Sequence, residues 1–327
     1  MIMACILIGL MLAVAGGTMM IKNGLEDYFE HSVPVFPIPD ISKGFIPQGI
    51  TYDAASQCFF LTGYMDNGKN SPIYAMGQDG KLLAKVLMLT ENGEKFRGHA
   101  GGISVHGDEL YVAGSTDACM YSFSIQEILN LKDKDKAAQE GLKATRRIPL
   151  KTEEDFIRVS FTSFDDEILY AGEFRKDPIF YTHDSHYVTI EDGKQKAYLF
   201  GFDFDENGGV VPTKVYSIPD NVQGACFDEE YVYLSQSHGF MPSEILTYRL
   251  EELEVAETRK VLGKEIPLYV LTEKNAKKAT KVPPMSEEIV TFDNKMYILH
   301  ESASNRYLIG KLLGQDQVYS TPISYFR

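Results

Sequence analysis

Eight polar side chains recur at matching places along this chain of 327 residues: Gln48, His99, Arg158, Glu173, Gln223, Gln236, Glu288 and Glu301. Three of them are carboxylates, and carboxylates brought together must hold a cation, pair with a base such as Arg158, or share a proton. Two of them ~4 Å apart repel by ~4 kcal/mol at an effective dielectric of ~20, which corresponds to ~3 pKa units. Glu173, Glu288 and Glu301 are therefore candidate ligands for calcium, which takes hard oxygen donors. Glu288 or Glu301 is equally a candidate to move a proton, with Arg158 or His99 orienting a substrate. The plain alternative is a polar lining for a water-filled channel.

What would place these residues together is a repeat. The stretch NVQGACFDEEYVYLSQSH, residues 221–238, has an apolar step ending at Phe227, an acidic turn, and an aromatic and β-branched run that ends on Gln236. That is the grammar of a β-hairpin. Four more stretches share it: IPQGITYDAASQCFFLTGY, GHAGGISVHGDELYVAG, RVSFTSFDDEILYAGEF and PPMSEEIVTFDNKMYILHES. Their anchors Tyr52, Val105, Phe164, Phe227 and Phe292 are 53, 59, 63 and 65 residues apart by subtraction. Several strands per unit at about fifty residues or more predict a propeller of five blades. Side chains alternate with period two along a strand, so equal offsets from an anchor fall on one face. Gln48, Gln223 and Glu288 stand four residues before their anchors, His99 and Arg158 six before, and Glu173, Gln236 and Glu301 nine after. All eight are expected around one opening of the central channel.

Each blade needs two further strands. SPIYAM and LLAKVLML supply them in the first blade, and CMYSFSI and ATRRIPL in the second, with a short helix between that opens on the capping-box pattern Ser124 to Glu127. KAYLFGFDF and VYSIP serve the third, after the detour KDPIFYTHDSHYVTIEDG. The fourth has EILTYRL and then a charged segment, and the fifth has YLIGKLL and VYSTPI. A sixth blade would fit if residues 240–284 carry strands beyond these. VFPIPD, VYSIPD and VYSTPI resemble one another and contain Pro, which edge strands tolerate, so all three read as outermost strands. Both termini thus offer a strand to close the ring.

Residues 1–21 carry no charge and are almost wholly apolar. Twenty residues at ~1.5 Å each span a ~30 Å hydrocarbon core, and Ala13-Val14-Ala15 also suits signal-peptide cleavage. The expectation is an N-terminal apolar helix acting as signal peptide or membrane anchor, a stalk over 22–33, and an all-β propeller domain over 34–327. The domain would then be extracytoplasmic, secreted or membrane-anchored, and monomeric, touching the membrane only through residues 1–21. The net charge of −14 disfavours nucleic acid as a partner. Cys58, Cys119 and Cys226 sit in strands of three blades and read as buried thiols. His183-Asp184-Ser185-His186 could bind a metal but lacks a spacing that fixes geometry. His300 reads as a core histidine. No P-loop, GxGxxG or GxSxG is present.

The block KVPPMSEEIVTFDNKMYILHESASNRY, with IPQGITY, GHAGGISV and YSIPDNVQGACF, resembles a group of uncharacterised secreted or membrane-tethered bacterial β-propellers. That resemblance implies fold and location and no activity. The QG-type repeats and the acidic start of the last blade are also distantly similar to plant-type glutaminyl cyclases, five-bladed propellers whose likeness implies attack of an amine on a side-chain amide. Three function classes follow. The first is a binding module whose polar, acidic channel mouth takes a small ligand, ion, peptide or cell-envelope partner. The second is an enzyme using Glu acid/base chemistry, and the third a divalent-cation hydrolase or calcium-stabilised propeller.

Overall fold

Near-continuous apolar runs along the middle strands, such as Cys58–Met65 and Pro72–Gly77, give sheets with two dry faces, and such sheets are stable only when both faces are covered. This chain covers them by stacking blades in a circle. The structure, a computed structural model, describes residues 24–131, 140–165, 167–307 and 314–327. Innermost strands Phe45–Asp53, Ala100–His106, Val159–Asp165, Val222–Phe227 and Ser286–Phe292 surround one axis, each against the next and the fifth against the first. Five apolar clusters fill the five gaps between blades. Phe60 and Val86 meet Ile103 and Val112 in the first gap, and Phe36 and Tyr297 meet Phe59 and Leu61 where the ring closes. Each fully buried side chain of this size contributes roughly 1.5–3 kcal/mol. The fold is a five-bladed β-propeller.

Blades one and two have the strands expected of them, with Pro72–Gly77 and Leu82–Leu89 in the first and Cys119–Ser124 and Arg146–Pro149 in the second. The helix Ile125–Asn130 begins where the capping box placed it, and the Ser124 hydroxyl accepts the Glu127 N–H. Blade four differs. After its third strand, Ser243–Arg249, the chain crosses to blade three and adds the hairpin Glu257–Val261 and Lys264–Val270, the second strand running parallel to Val210–Ile218. It then returns as Lys278–Val282, the fourth strand of blade four. The extra strands of 240–284 thus widen a blade that would otherwise expose an edge, and no sixth blade forms.

Ring closure falls to the N-terminal strand. Val33–Pro37 pairs with Gln317–Pro322, so VFPIPD is outermost in blade five while VYSTPI is the third strand. VYSIPD is likewise not outermost, since the added hairpin covers it. The fifth-blade segment YLIGKLL falls, over 308–313, outside the described residues, and so does the apolar leader 1–21. Among the described residues no helix is long and apolar enough to cross a membrane. Within the expected stalk, the helix Glu26–His31 lies against the domain, with Tyr28 buried beside Phe326 and Ile323 of the C-terminal turn. Cys58, Cys119 and Cys226 are buried free thiols.

Candidate functional site

Every innermost strand carries one extra residue at the same height: a bulge at Gln48, at Gly101-Gly102, at Ser160, at Gln223 and at Glu287-Glu288. A bulge breaks the pairing ladder locally and re-aims backbone and side chains. Here it turns the N–H groups of Ile50, Ile103 and Thr162 toward the axis. They converge on one acceptor, the carboxylate of Glu288, at 2.7, 2.9 and 3.1 Å. Glu288 therefore crosses the channel and fastens blade five to blades one, two and three. Glycine makes the approach possible: a Cβ on Gly102 would stand 2.5 Å from Phe161 Cα, and one on Gly224 2.6 Å from Glu288 Cα. Burial pushes the Glu288 pKa well above the ordinary range, and the backbone donors oppose that rise. Both oxygens are engaged as acceptors, which is the bonding pattern of the carboxylate.

Glu288 divides the channel in two. Below it lies a small cavity of about 130 Å³ lined by Ile50, Ile103, Thr162 and Cys226 among others. Above it opens a mouth of about 630 Å³, whose lining includes Gln48, His99, Arg158, Gln223 and Glu301. Five of the eight sequence-predicted residues thus share this mouth. Glu173, Gln236 and Glu288 do not line it. Glu173 is fully buried and turned into its own blade, bonded to His186 Nδ1 at 2.9 Å and to the N–H of Tyr198. Gln236 donates to the carbonyl of Asp220 and to Glu273.

The reason is turn length. Phe164 pairs with Leu169 and Phe227 with Val232, whereas Phe292 pairs with Lys295 across a turn two residues shorter. Nine residues after the anchor, Glu173 and Gln236 are still within their strands, while Glu301 is past the end of its own and reaches the mouth. The three carboxylates expected to form one cation site therefore have three different sets of partners. Around Glu288 the partners are N–H donors, whose dipoles repel a cation.

The carboxyl that does meet Glu301 is Glu287, which the register argument passed over. The bulge presents both Glu287 and Glu288 to the channel, where a regular strand would present one. Glu287 and Glu301 hydrogen-bond one another. Burial, together with the charge of Glu301, pushes the Glu287 pKa well up; burial also raises Glu301, against the pull of Tyr307 and Arg306. Glu287 accepts from Gln223 at 3.2 Å, and Glu301 accepts from Tyr307 at 2.7 Å and Gln48 at 3.1 Å. With the richer set of donors on Glu301, the shared proton belongs on Glu287. Of the three outcomes open to crowded carboxylates, the raised pKa values of this pair point to the shared proton.

Above this acidic floor the rim is basic. Arg158, Lys176 and Arg306 are exposed around the mouth, with Glu301 the carboxylate among its described lining residues. The mouth expected to be acidic is mixed. His99 lies against Tyr64 with ring centroids 4.0 Å apart and planes tilted by 37°, and desolvation plus the Arg306 charge lower its pKa. Arg306 also bonds the Tyr64 hydroxyl, whose pKa burial raises to about 12. Phe174, Phe180 and Phe240 complete an apolar wall. Tyr64 was missed because it stands at none of the offsets singled out in the repeat, although it lies in the strand Cys58–Met65, and Arg306 and Tyr307 because the loop that carries them has no counterpart there. His300 is fully buried, and burial lowers its pKa to about 4, as a neutral core histidine requires.

No family model and no curated protein matches the chain. Among solved structures it is similar to a glutaminyl cyclase of Myxococcus xanthus, with a TM-score of 0.44, 10% identity, and coverage of 89% of this chain and 94% of the other. It is similar also to a chain of a nidogen–laminin complex, with a TM-score of 0.39, 10% identity, and coverage of 79% and 73%. A third likeness is to the hydrazine synthase of Kuenenia stuttgartiensis, with a TM-score of 0.38, 9% identity, and coverage of 79% and 56%. The five-blade assignment itself rests on the strand pairing described above.

Proposed function

We propose that the mouth is the binding site of an extracytoplasmic module for a small zwitterionic ligand of peptide class. The observation that carries this is vertical: a buried carboxyl pair, Glu287 and Glu301, lies under a rim bearing Arg158, Lys176 and Arg306. An anionic group suits the rim, and an amine or amide suits the floor. The volume of about 630 Å³ is in the range of small-molecule pockets.

A second reading has a specific basis. Two desolvated carboxyls that share a proton are equipped to give and take one, the requirement for general acid/base catalysis near neutral pH. The reaction would be attack of a substrate amine on its own side-chain amide with release of ammonia. Glu301, the member of the pair that lines the mouth, would take the proton of the attacking amine and pass one to the departing nitrogen, with Glu287 behind it holding the second proton site.

One experiment addresses both readings. Short peptides with a free N-terminal glutamine and a free carboxylate are titrated calorimetrically, and the recovered peptide is weighed by mass spectrometry. Binding without mass change supports the module, and loss of ammonia supports the enzyme. Arg306→Ala is expected to weaken binding by about 10-fold or more, the value of a charge-assisted hydrogen bond. Affinity equal to wild type for Arg306→Ala and Glu301→Gln alike would remove the mouth as the site. The extracytoplasmic placement rests on the apolar segment 1–21. Fractionation tests it, and intact chain in the soluble cytosol would sink that part.

A further inference from the structure

In blade three, three side chains from two separate segments come together, none of them among the residues that line the mouth. In the detour between Ile168–Glu173 and Ala197–Phe204, a turn closed by the His186 N–H on the His183 carbonyl brings both imidazoles to one side. Asp155 arrives from the loop before Val159–Asp165. One ligand atom from each of Asp155, His183 and His186 lies within 4.8 Å of the other two. His186 Nε2 is 3.0 Å from Asp155 Oδ1, and His183 Nδ1 is 3.8 Å from the same oxygen. Donors around a tetrahedral ion with ~2.0–2.1 Å bonds stand about 3.3 Å apart, so these separations bracket the value a small ion needs.

We propose that Asp155, His183 and His186 form a binding site for a divalent transition metal of the zinc class. Two imidazole nitrogens and one carboxylate oxygen favour zinc, cobalt or nickel over calcium or magnesium. A further feature separates this cluster from a chance polar loop. The other ring nitrogen of His186, Nδ1, is 2.9 Å from the fully buried Glu173. A carboxylate behind a ligating histidine fixes its tautomer and aims the free nitrogen at the metal. This gives Glu173, displaced from the mouth, a role as a positioning residue.

Access is available at the right point. His186 is 3% exposed, but Asp155 is 11% and His183 25% exposed, which leaves an open side for solvent as the fourth ligand. His183 Nδ1 bonds the hydroxyl of the exposed Ser185 at 2.7 Å and accepts the Ser185 N–H at 3.4 Å, and a metal would take the place of these bonds. The second Asp155 oxygen accepts the N–H of Leu262 in the added hairpin. A metal here would clamp three segments of blade three. One of them, the detour, supplies Lys176 and Phe180 to the wall of the mouth.

The test uses the untagged chain, dialysed against zinc chloride and then against metal-free buffer. About one zinc per chain is expected to remain, cobalt(II) to give the intense visible bands of a tetrahedral site, and melting temperature to rise with zinc and fall with chelator. His183→Ala should weaken zinc binding by at least about 10–100-fold while leaving the metal-free melting temperature unchanged, since that ring is partly exposed. Glu301→Gln, at the mouth, should keep the full zinc content, so this result is independent of the proposed function. Wild type that retains no zinc and gives no cobalt bands overturns the site and leaves His186 as an imidazolium between two acids. Equal zinc affinity in His183→Ala overturns it as well.

Discussion

Replacement of Glu288 by alanine is expected to be the most damaging single change in the channel, lowering the free energy of unfolding by about 3 kcal/mol or more. The carboxylate accepts N–H groups from three blades, at Ile50, Ile103 and Thr162. Its removal leaves all three donors facing a gap at the centre of the ring. A buried donor left unsatisfied costs about 1–3 kcal/mol, and water entering from the mouth would recover part of that. Glu288→Gln keeps the volume and one good acceptor oxygen, but turns an NH₂ group toward donors, so an intermediate loss is expected. Denaturant unfolding of the two variants measures this directly. An alanine variant with the wild-type midpoint would mean that the blades are held without this tie, by their apolar faces alone.

The second large effect is a change in how stability depends on pH. Glu287 and Glu301 both have pKa values above the ordinary 4.5 in the folded chain, chiefly through burial. Between 4.5 and the raised values the folded state holds more protons than the unfolded state. Stability from this pair is therefore fully present below 4.5 and is lost as pH rises through the folded values. His300 works in the opposite sense: its folded pKa of about 4 against an ordinary 6.5 favours the native state as pH rises across that interval. The informative quantity is thus the difference between wild type and Glu287→Gln at each pH. A glutamine can keep donating to Glu301 without titrating. Glu287→Gln is expected to match or exceed wild-type stability above neutrality and to lose the advantage of acidification. Melting curves from pH 5 to pH 8 that run parallel for the two proteins would show that no proton is shared.

The same pair carries the functional reading, and the two effects can be separated. A variant that flattens the pH dependence yet binds peptide as wild type would keep the shared proton and remove the pair from recognition. Arg306 is the complementary probe, because it lies at the rim and bonds Tyr64 without touching Glu288.

Strand periodicity, five apolar anchors and turn-forming residues were enough to obtain the propeller from the sequence, with the innermost strands Phe45–Asp53 to Ser286–Phe292 lying where the repeats put them. These signals are local, because a strand's inward and outward faces are written in alternate residues. The Ser124 cap and the buried cysteines were legible for the same reason. Gln48, His99, Arg158, Gln223 and Glu301 were also assigned to one opening by register alone. Tertiary structure decided the rest. A turn shorter by two residues carried Glu301 into the mouth and left Glu173 and Gln236 inside their blades. A bulge presented Glu287 beside Glu288, and counting by twos cannot see an added residue. Pairing of Lys264–Val270 with Val210–Ile218, and of His186 with both Glu173 and Asp155, joined segments distant in sequence. Such contacts depend on where loops are carried by blades already formed, and no spacing within a loop specifies that.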